Sequence, residues 1–171
     1  IGMRLLPLLL EQGHQVVCAV RSADRLSVDP EVKKEIEIVE IDFLEEVNPN
    51  KLPTDIDAAY YLIHSMTTST KDFDEKEAQT AENFNKYLEP VNAKQVIFLT
   101  GMVNEKESSK HLSSREKVGK ILQEGNFHLT CLQAGIVVGS GSSSFEIIRD
   151  LCEKLPFMIT PRWVNTKTQP I

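Results

Sequence analysis

Short runs of consecutive apolar residues alternate along this chain with stretches whose apolar positions recur every three or four residues. The runs predict buried strands and the periodic stretches predict helices. Met3 to Gln12 reads as an apolar helix, opened by Gly2 and ended by Gly13, and Gln15 to Val20 as a buried strand that stops at Arg21-Ser22. Ile36 to Ile41 mixes apolar and acidic residues in near alternation, a second strand closed by Asp42. Residues 43–57 are polar, carry Pro49 and Pro53, and predict a loop with room for one helical turn. Ala58 to Ile63 is a continuous apolar run of the kind central strands carry. Asp72 to Glu89 is an amphipathic helix with Phe73, Ala81, Phe84 and Leu88 on one face and Pro90 as its stop.

Gln95 to Thr100, closed by Gly101, is the next strand, and 102–112 is a charged loop. Ser113 or Ser114 can cap a helix that runs to Glu124 and ends at Gly125. Phe127 to Val138 is the last strand. Gly139 to Ser144 is a small-residue loop, and Phe145 to Lys154 is a helix broken by Pro156. The segment from Met158 to Ile171 holds two more prolines after Pro156, Trp163 and short apolar pieces. Strand and helix alternate throughout, so the expected class is α/β: a Rossmann-like, doubly wound parallel sheet. Residues 1–142 would form the nucleotide-binding domain and 143–171 the start of a smaller substrate lobe. The strand that should open such a unit and most of its Gly-rich loop are expected to lie outside this sequence. Without that strand, the runs at 15–20 and 36–41 would have no proper neighbour and would expose unpaired edges. The 171 residues are therefore expected to be part of a longer protein.

Composition narrows the partners. Apolar residues at 41% and charged ones at 26% are ordinary for a globular domain. A net charge of −6 argues against nucleic acid or an anionic membrane as the main partner. No apolar run reaches the roughly 20 residues of a membrane span, and a cytoplasmic setting is expected. Cys18, Cys131 and Cys152 are far apart and read as reduced, buried thiols. The four histidines lack metal-ligand spacing, so no metal site is expected.

The first 25 residues read as the second half of a dinucleotide-binding βαβ unit. The residue just past the second strand of such a unit meets the adenosine ribose, and an Arg there favours a 2′-phosphate. Arg21, backed by Arg25, thus points to NADP(H) over NAD(H). In sheets of this type the ligand lies across the carboxyl ends of the strands. Those ends are Arg21, Asp42, His64-Ser65-Met66, Thr100-Gly101 and Gly135 to Ser142, most of them polar, small or flexible. Ser142 to Ser144 at a helix start are further candidates for an anionic substrate group. Trp163 beside Arg162 either floors a substrate pocket or packs in the small lobe.

Several of these segments together resemble the atypical and extended short-chain dehydrogenase/reductases, in particular their NmrA-like NAD(P)-binding branch and a bacterial sugar-nucleotide-epimerase-like subgroup. They are Ile1-Gly2 with Arg21, Asp42-Phe43, Tyr61 to Ser65, Phe98 to Gly101, His111 to Arg115, Leu132 to Gly139, Leu155-Pro156, Thr160 to Trp163 and Thr168 to Ile171. The resemblance implies that Gly2 is the last glycine of the phosphate loop, where a side chain would block helix packing. It implies that Arg21 holds the 2′-phosphate, that Asp42 bonds the adenine amino group with Phe43 near the ring, and that His64 and Ser65 lie along the pyrophosphate and nicotinamide ribose. Gly135 opens the end of the last strand at the same edge. Family enzymes use Tyr-x-x-x-Lys for proton transfer, and here His111 and Arg115 fall on those positions, with Thr100 near the usual Ser. A histidine can still exchange a proton near neutral pH, whereas an arginine cannot give one up. Two functions follow: an NADP(H)-dependent oxidoreductase or epimerase-like enzyme on a small carbonyl or sugar-nucleotide-like substrate, and a non-catalytic dinucleotide-binding sensor or assembly factor. A quinone- or flavin-linked reductase using the same pocket is a weaker third. The sequence leaves the oligomeric state open.

Overall fold

The computed structural model describes residues 1–45, 52–64, 73–102, 110–135, 137–139, 143–157 and 171. Helix α1 (Gly2–Glu11) leads to β1 (Val16–Val20), and α2 (Pro30–Glu35) to β2 (Ile36–Glu40). Next come β3 (Ala58–Tyr61), α3 (Phe73–Leu88), β4 (Gln95–Gly101), α4 (Lys110–Gln123), β5 (His128–Ala134) and α5 (Ser143–Lys154). Gly13 stops α1 for a local reason. Its φ of +80° suits glycine, its N–H donates to Leu10 O at 2.9 Å, and the N–H of His14 reaches Leu9 O at 3.1 Å. Those two bonds close the helix carbonyls in a Schellman turn. Helix α2 starts on Asp29, whose side chain accepts from the Glu31 N–H, with Pro30 in the first helical position.

Among the described residues every strand pairing is parallel, and the strands form two sheets, β1–β2 and β3–β4–β5. The expectation that residues 15–20 and 36–41 would lack a neighbour is corrected in part. They pair with each other from Val16–Ile36 to Val20–Glu40, because the turn and short helix between them form a crossover that returns the chain parallel. Among the described residues no strand pairs with the second edge of β1. The run at 58–63 reads as central but forms a shorter strand that pairs only with β4 among the described residues, and Tyr60 is exposed. An apolar run alone does not distinguish an edge from a centre.

Helices α3 and α4 pack against each other and cover one face of β3–β4–β5. The core between them holds Tyr61, Ala81, Phe84, Tyr87, Leu88, Val96, Phe98, Val118 and Leu122, and Ile41 and Phe43 enter it from the turn after β2. Phe84 meets Tyr61 edge to face with centroids 4.9 Å apart. Tyr61 points into this core, and the next residue, Leu62, turns the other way toward α1, where a Cβ placed on Gly2 would lie 3.5 Å from Leu62 Cδ1. That distance is ordinary contact, so the expected steric bar to a side chain at Gly2 does not hold here.

Helix α4 begins earlier than its serines suggest. Ser114 is buried with Val118 and Leu122 at a four-residue spacing, so the core stripe runs through it and it sits inside the helix instead of capping it. The cysteines are also less enclosed than expected. All three are unpaired, Cys18 is half-buried, and Cys131 and Cys152 are exposed, because Cys131 lies on the outer strand β5. Partial burial still pushes the Cys18 and Cys131 thiols above their ordinary value. Helix α5 leaves Ile147, Ile148, Leu151 and the following Leu155 exposed. Trp163, Arg162 and the prolines of the tail lie outside the described residues.

The phenol of Tyr61 is pushed far above its ordinary value, first by burial and then by the Glu77 charge, with Arg115 pulling the other way. A raised acid stays protonated in the fold while the unfolded chain ionises. Its contribution is therefore complete below the usual tyrosine value near 10 and is lost as pH climbs beyond it. We expect the wild-type protein to lose about 1.4 kcal/mol per pH unit above about pH 11 through this one proton. Tyr61→Phe should remove that slope in urea unfolding from pH 8 to 12; equal slopes in both proteins would show that Tyr61 ionises freely.

Candidate functional site

The carboxyl ends of the strands gather the polar residues of interest. Helix α1 opens with no acidic residue in its first turn and no side-chain cap, so no carboxylate of its own first turn compensates its N-terminal dipole. Arg21 leaves the end of β1, and Arg25 closes a short 3-10 turn, Ala23–Arg25, whose first N–H is taken by Glu40 Oε1 at 2.6 Å. Both arginines are exposed. At the end of β2, Asp42 Oδ1 accepts the Leu44 N–H at 2.9 Å and shapes the turn that follows. Helix α3 holds that turn in place: Asn83 Nδ2 donates to Phe43 O at 2.7 Å and to Glu45 O at 3.3 Å, and Gln79 Nε2 to Leu44 O at 3.1 Å. Phe43 turns inward, packing against Phe84 and Tyr87 with centroids 5.6 and 5.7 Å away. Its ring is therefore core, where the sequence placed it beside an adenine.

The end of β3 carries a buried polar cluster. Glu77 on α3 is buried to 2% exposure, with Oε1 3.2 Å from His64 Nδ1 and Oε2 3.5 Å from Arg115 Nη1. Arg115 comes from α4, and its side chain is 12% exposed. It donates from Nη1 to Ile63 O at 3.0 Å and from Nη2 to Leu99 O at 2.9 Å, and its guanidinium lies 4.6 Å from the Phe98 ring centroid. These contacts pin the ends of β3 and β4 to both helices. Arg115 is thus engaged by the protein's own carbonyls, and His64 keeps nearly half of its side chain accessible at 45%. Thr100 Oγ1 is buried without a hydrogen-bond partner among the described residues. It ends a cavity of about 300 Å³ between α4 and the β4–β5 strands, lined also by Phe98, Arg115, Gly119, Leu129 and Cys131.

The sequence-predicted residues Arg21, Asp42, His64, Thr100 and Gly135 lie at or just past strand ends, and Arg25 closes the turn that follows β1. His111 is in the second turn-forming position of α4, but its side chain, like the whole of Ser65, lies outside the described residues. Glu77 was not anticipated. Its signal was the spacing: Phe73, Glu77, Ala81, Phe84 and Leu88 follow the helical stripe, and one member of that apolar stripe is an acid. No group of His, Cys, Asp and Glu able to hold a metal occurs among the described residues.

Parallel strands, helices α3 and α4 on one face and α1 approaching the other, and a polar strand-end row together define a nucleotide-binding α/β protein of the Rossmann-like kind. Residues 1–134 match the family described as NAD(P)H-binding, and the chain belongs to that family. No curated protein matches the chain by sequence. Among solved structures, it is similar to a proposed NAD-dependent epimerase/dehydratase from Bacillus halodurans, with a TM-score of 0.65 and 20% identity over 80% of this chain and 66% of that one. The Bordetella bronchiseptica enzyme WbmG, in complex with NAD and UDP, gives a TM-score of 0.60 at 13% identity over 81% of this chain and 50% of that one. UDP-N-acetylglucosamine 4-epimerase from Bacillus cereus gives 0.60 at 17% identity over 81% and 50%. The chain thus spans half to two thirds of the length of these structures. No helix among the described residues is long and apolar enough to cross a membrane.

Proposed function

We propose that the protein is an NADP(H)-dependent oxidoreductase or epimerase-like enzyme acting on a small carbonyl or sugar-nucleotide-like substrate. The observation that carries this reading is the donor set at the strand ends. The start of α1 offers backbone N–H groups to a pyrophosphate, and Arg21 and Arg25, both exposed, offer guanidinium groups to a 2′-phosphate. Asp42 spends Oδ1 on its own turn and presents Oδ2 to an adenine amino group. His64 and Gly135 border the path toward the nicotinamide, Ser65 and His111 extend it, and Thr100 supplies a buried hydroxyl beside it. The nicotinamide, when bound, supplies hydride exchange with a substrate carbon. Residues 143–171 would begin the lobe that covers the substrate. The sugar-nucleotide enzymes among the structural neighbours support that substrate class, and three unpaired cysteines support a reducing, cytoplasmic setting.

The engagement of Arg115 by Ile63 and Leu99 carbonyls favours a second reading, a non-catalytic dinucleotide-binding sensor. Parallel fluorescence titrations with NADPH and NADH test both. Saturable binding with NADPH the tighter ligand is expected. Oxidation of bound NADPH by a panel of carbonyl compounds supports the enzyme, and binding without turnover across that panel supports the sensor. No binding of either nucleotide would sink both.

A further inference from the structure

We infer that Glu77 is a positioning residue for His64, fixing the imidazole so that Nε2 is the atom through which the site exchanges a proton with a bound hydroxyl or carbonyl compound. The inference deepens the enzyme reading above and rests on it. It replaces the altered tyrosine position with a group from a different element.

The argument starts from what a carboxylate can do. Glu77 accepts hydrogen bonds only, so its 3.2 Å contact with His64 Nδ1 places the N–H on Nδ1. In the neutral ring the basic lone pair then lies on Nε2. The same logic operates wherever a buried acid orients a histidine that does proton chemistry. Burial makes the arrangement rigid. Glu77 is held on its other oxygen by Arg115, which is itself fixed by two strand carbonyls. Arg115 from α4 and Tyr61 from β3 are charged and titratable groups that face this pair.

Place in the fold supports the assignment. Tyr61, the last residue of β3, is in register with Phe98, so His64, three residues on, lies past the carboxyl end of β3, the same edge at which β4 ends in Thr100 and Gly101. A solvated surface pair would have no need of a 2% exposed acid, and a purely structural histidine would not keep 45% of its side chain accessible. The proton step is simple. The O–H bond of a substrate hydroxyl breaks, its electron pair stays on oxygen, and the proton forms an N–H bond at Nε2. The imidazolium so formed keeps its Nδ1–H on Glu77. The reverse step returns the proton.

Long-range proton–nitrogen NMR of the ¹⁵N-labelled full chain tests this, with the His64 signals identified by their loss in His64→Gln. In the wild-type protein a single neutral tautomer with N–H on Nδ1 is expected, and finding the Nε2–H tautomer would overturn the proposal without any variant. Glu77→Gln, whose amide donates to a ring nitrogen as readily as it accepts, should give a mixture of tautomers. An unchanged single tautomer in that folded variant would show that Glu77 does not position the ring. Saturating NADP⁺ should move the Nε2 resonance and leave Nδ1 nearly still. NADP⁺ that binds by fluorescence without moving Nε2 would overturn the proton-exchange role and leave the dinucleotide reading standing. NADP⁺ that does not bind would end that reading and the proton-exchange role together, with the tautomer result reporting on the Glu77–His64 bond alone.

Discussion

Arg115→Met should cost the fold about 3–5 kcal/mol, the scale on which removing one partner of a buried ion pair acts. The guanidinium serves three acceptors at once: Glu77 and the carbonyls of Ile63 and Leu99. Methionine fills a similar volume and keeps contact with the Phe98 ring. The loss is therefore one of charge and hydrogen bonding more than of packing. It takes the Arg115 cation from an acid at 2% exposure and the Arg115 donors from the carbonyls of Ile63 and Leu99. Against a typical total of about 5–15 kcal/mol, such a loss is severe. Removing both charges should be gentler than removing one. Arg115→Met with Glu77→Leu is expected to regain at least about 1 kcal/mol relative to the sum of the single changes. Urea unfolding of the four proteins in that cycle gives the answer. A single-variant cost under about 1 kcal/mol would place Arg115 with surface ion pairs.

The second large effect concerns the nucleotide. Arg21→Ala should weaken NADPH binding by about tenfold to a hundredfold, equivalent to about 1.4–2.7 kcal/mol, and change NADH binding by less than about twofold. The asymmetry follows from chemistry. A guanidinium pairs with a phosphate dianion through charge-assisted bonds, whereas a free 2′-hydroxyl offers it little. Arg21 is exposed, so the preference should shrink as salt is raised. Arg25→Ala, one turn further on, should give a smaller loss of the same sign. Equal losses for NADPH and NADH would show that Arg21 supports the loop and does not read the phosphate.

Much of the architecture was legible because it is local. Gly13 after an apolar helix, and continuous apolar runs at 95–100, carry their own instructions in backbone preference and burial. Helix α2, which Asp29 caps and Pro30 opens, was not read from the sequence. Site roles that depend on distant partners were harder. Arg115 reads as a ligand-facing group when placed on a helix four residues after His111, since nothing nearby reveals that Ile63, 52 positions earlier, supplies its acceptor. Phe43 beside Asp42 suggests a nucleotide contact until Phe84 and Tyr87 close over its ring. Glu77 was hidden by its own neighbours, because a lone acid in an apolar stripe is invisible to a periodicity that counts only apolar positions. The division of the strands between two sheets was legible in part, since 15–20 and 36–41 were expected to lack a neighbour and instead found each other.

Helix α3 touches the strand-end row at two places. Asn83 grips the turn after Asp42, and Glu77 grips His64. Six residues separate them, about 9 Å along the axis. The helix therefore works as a gauge block. The two grips cannot be adjusted independently, and a slip of α3 by one residue would carry both by about 1.5 Å in the same direction. A ligand that reaches from the Asp42 turn to His64 is measured for length by a single rigid part, and one too long or too short gains nothing by pushing on either end.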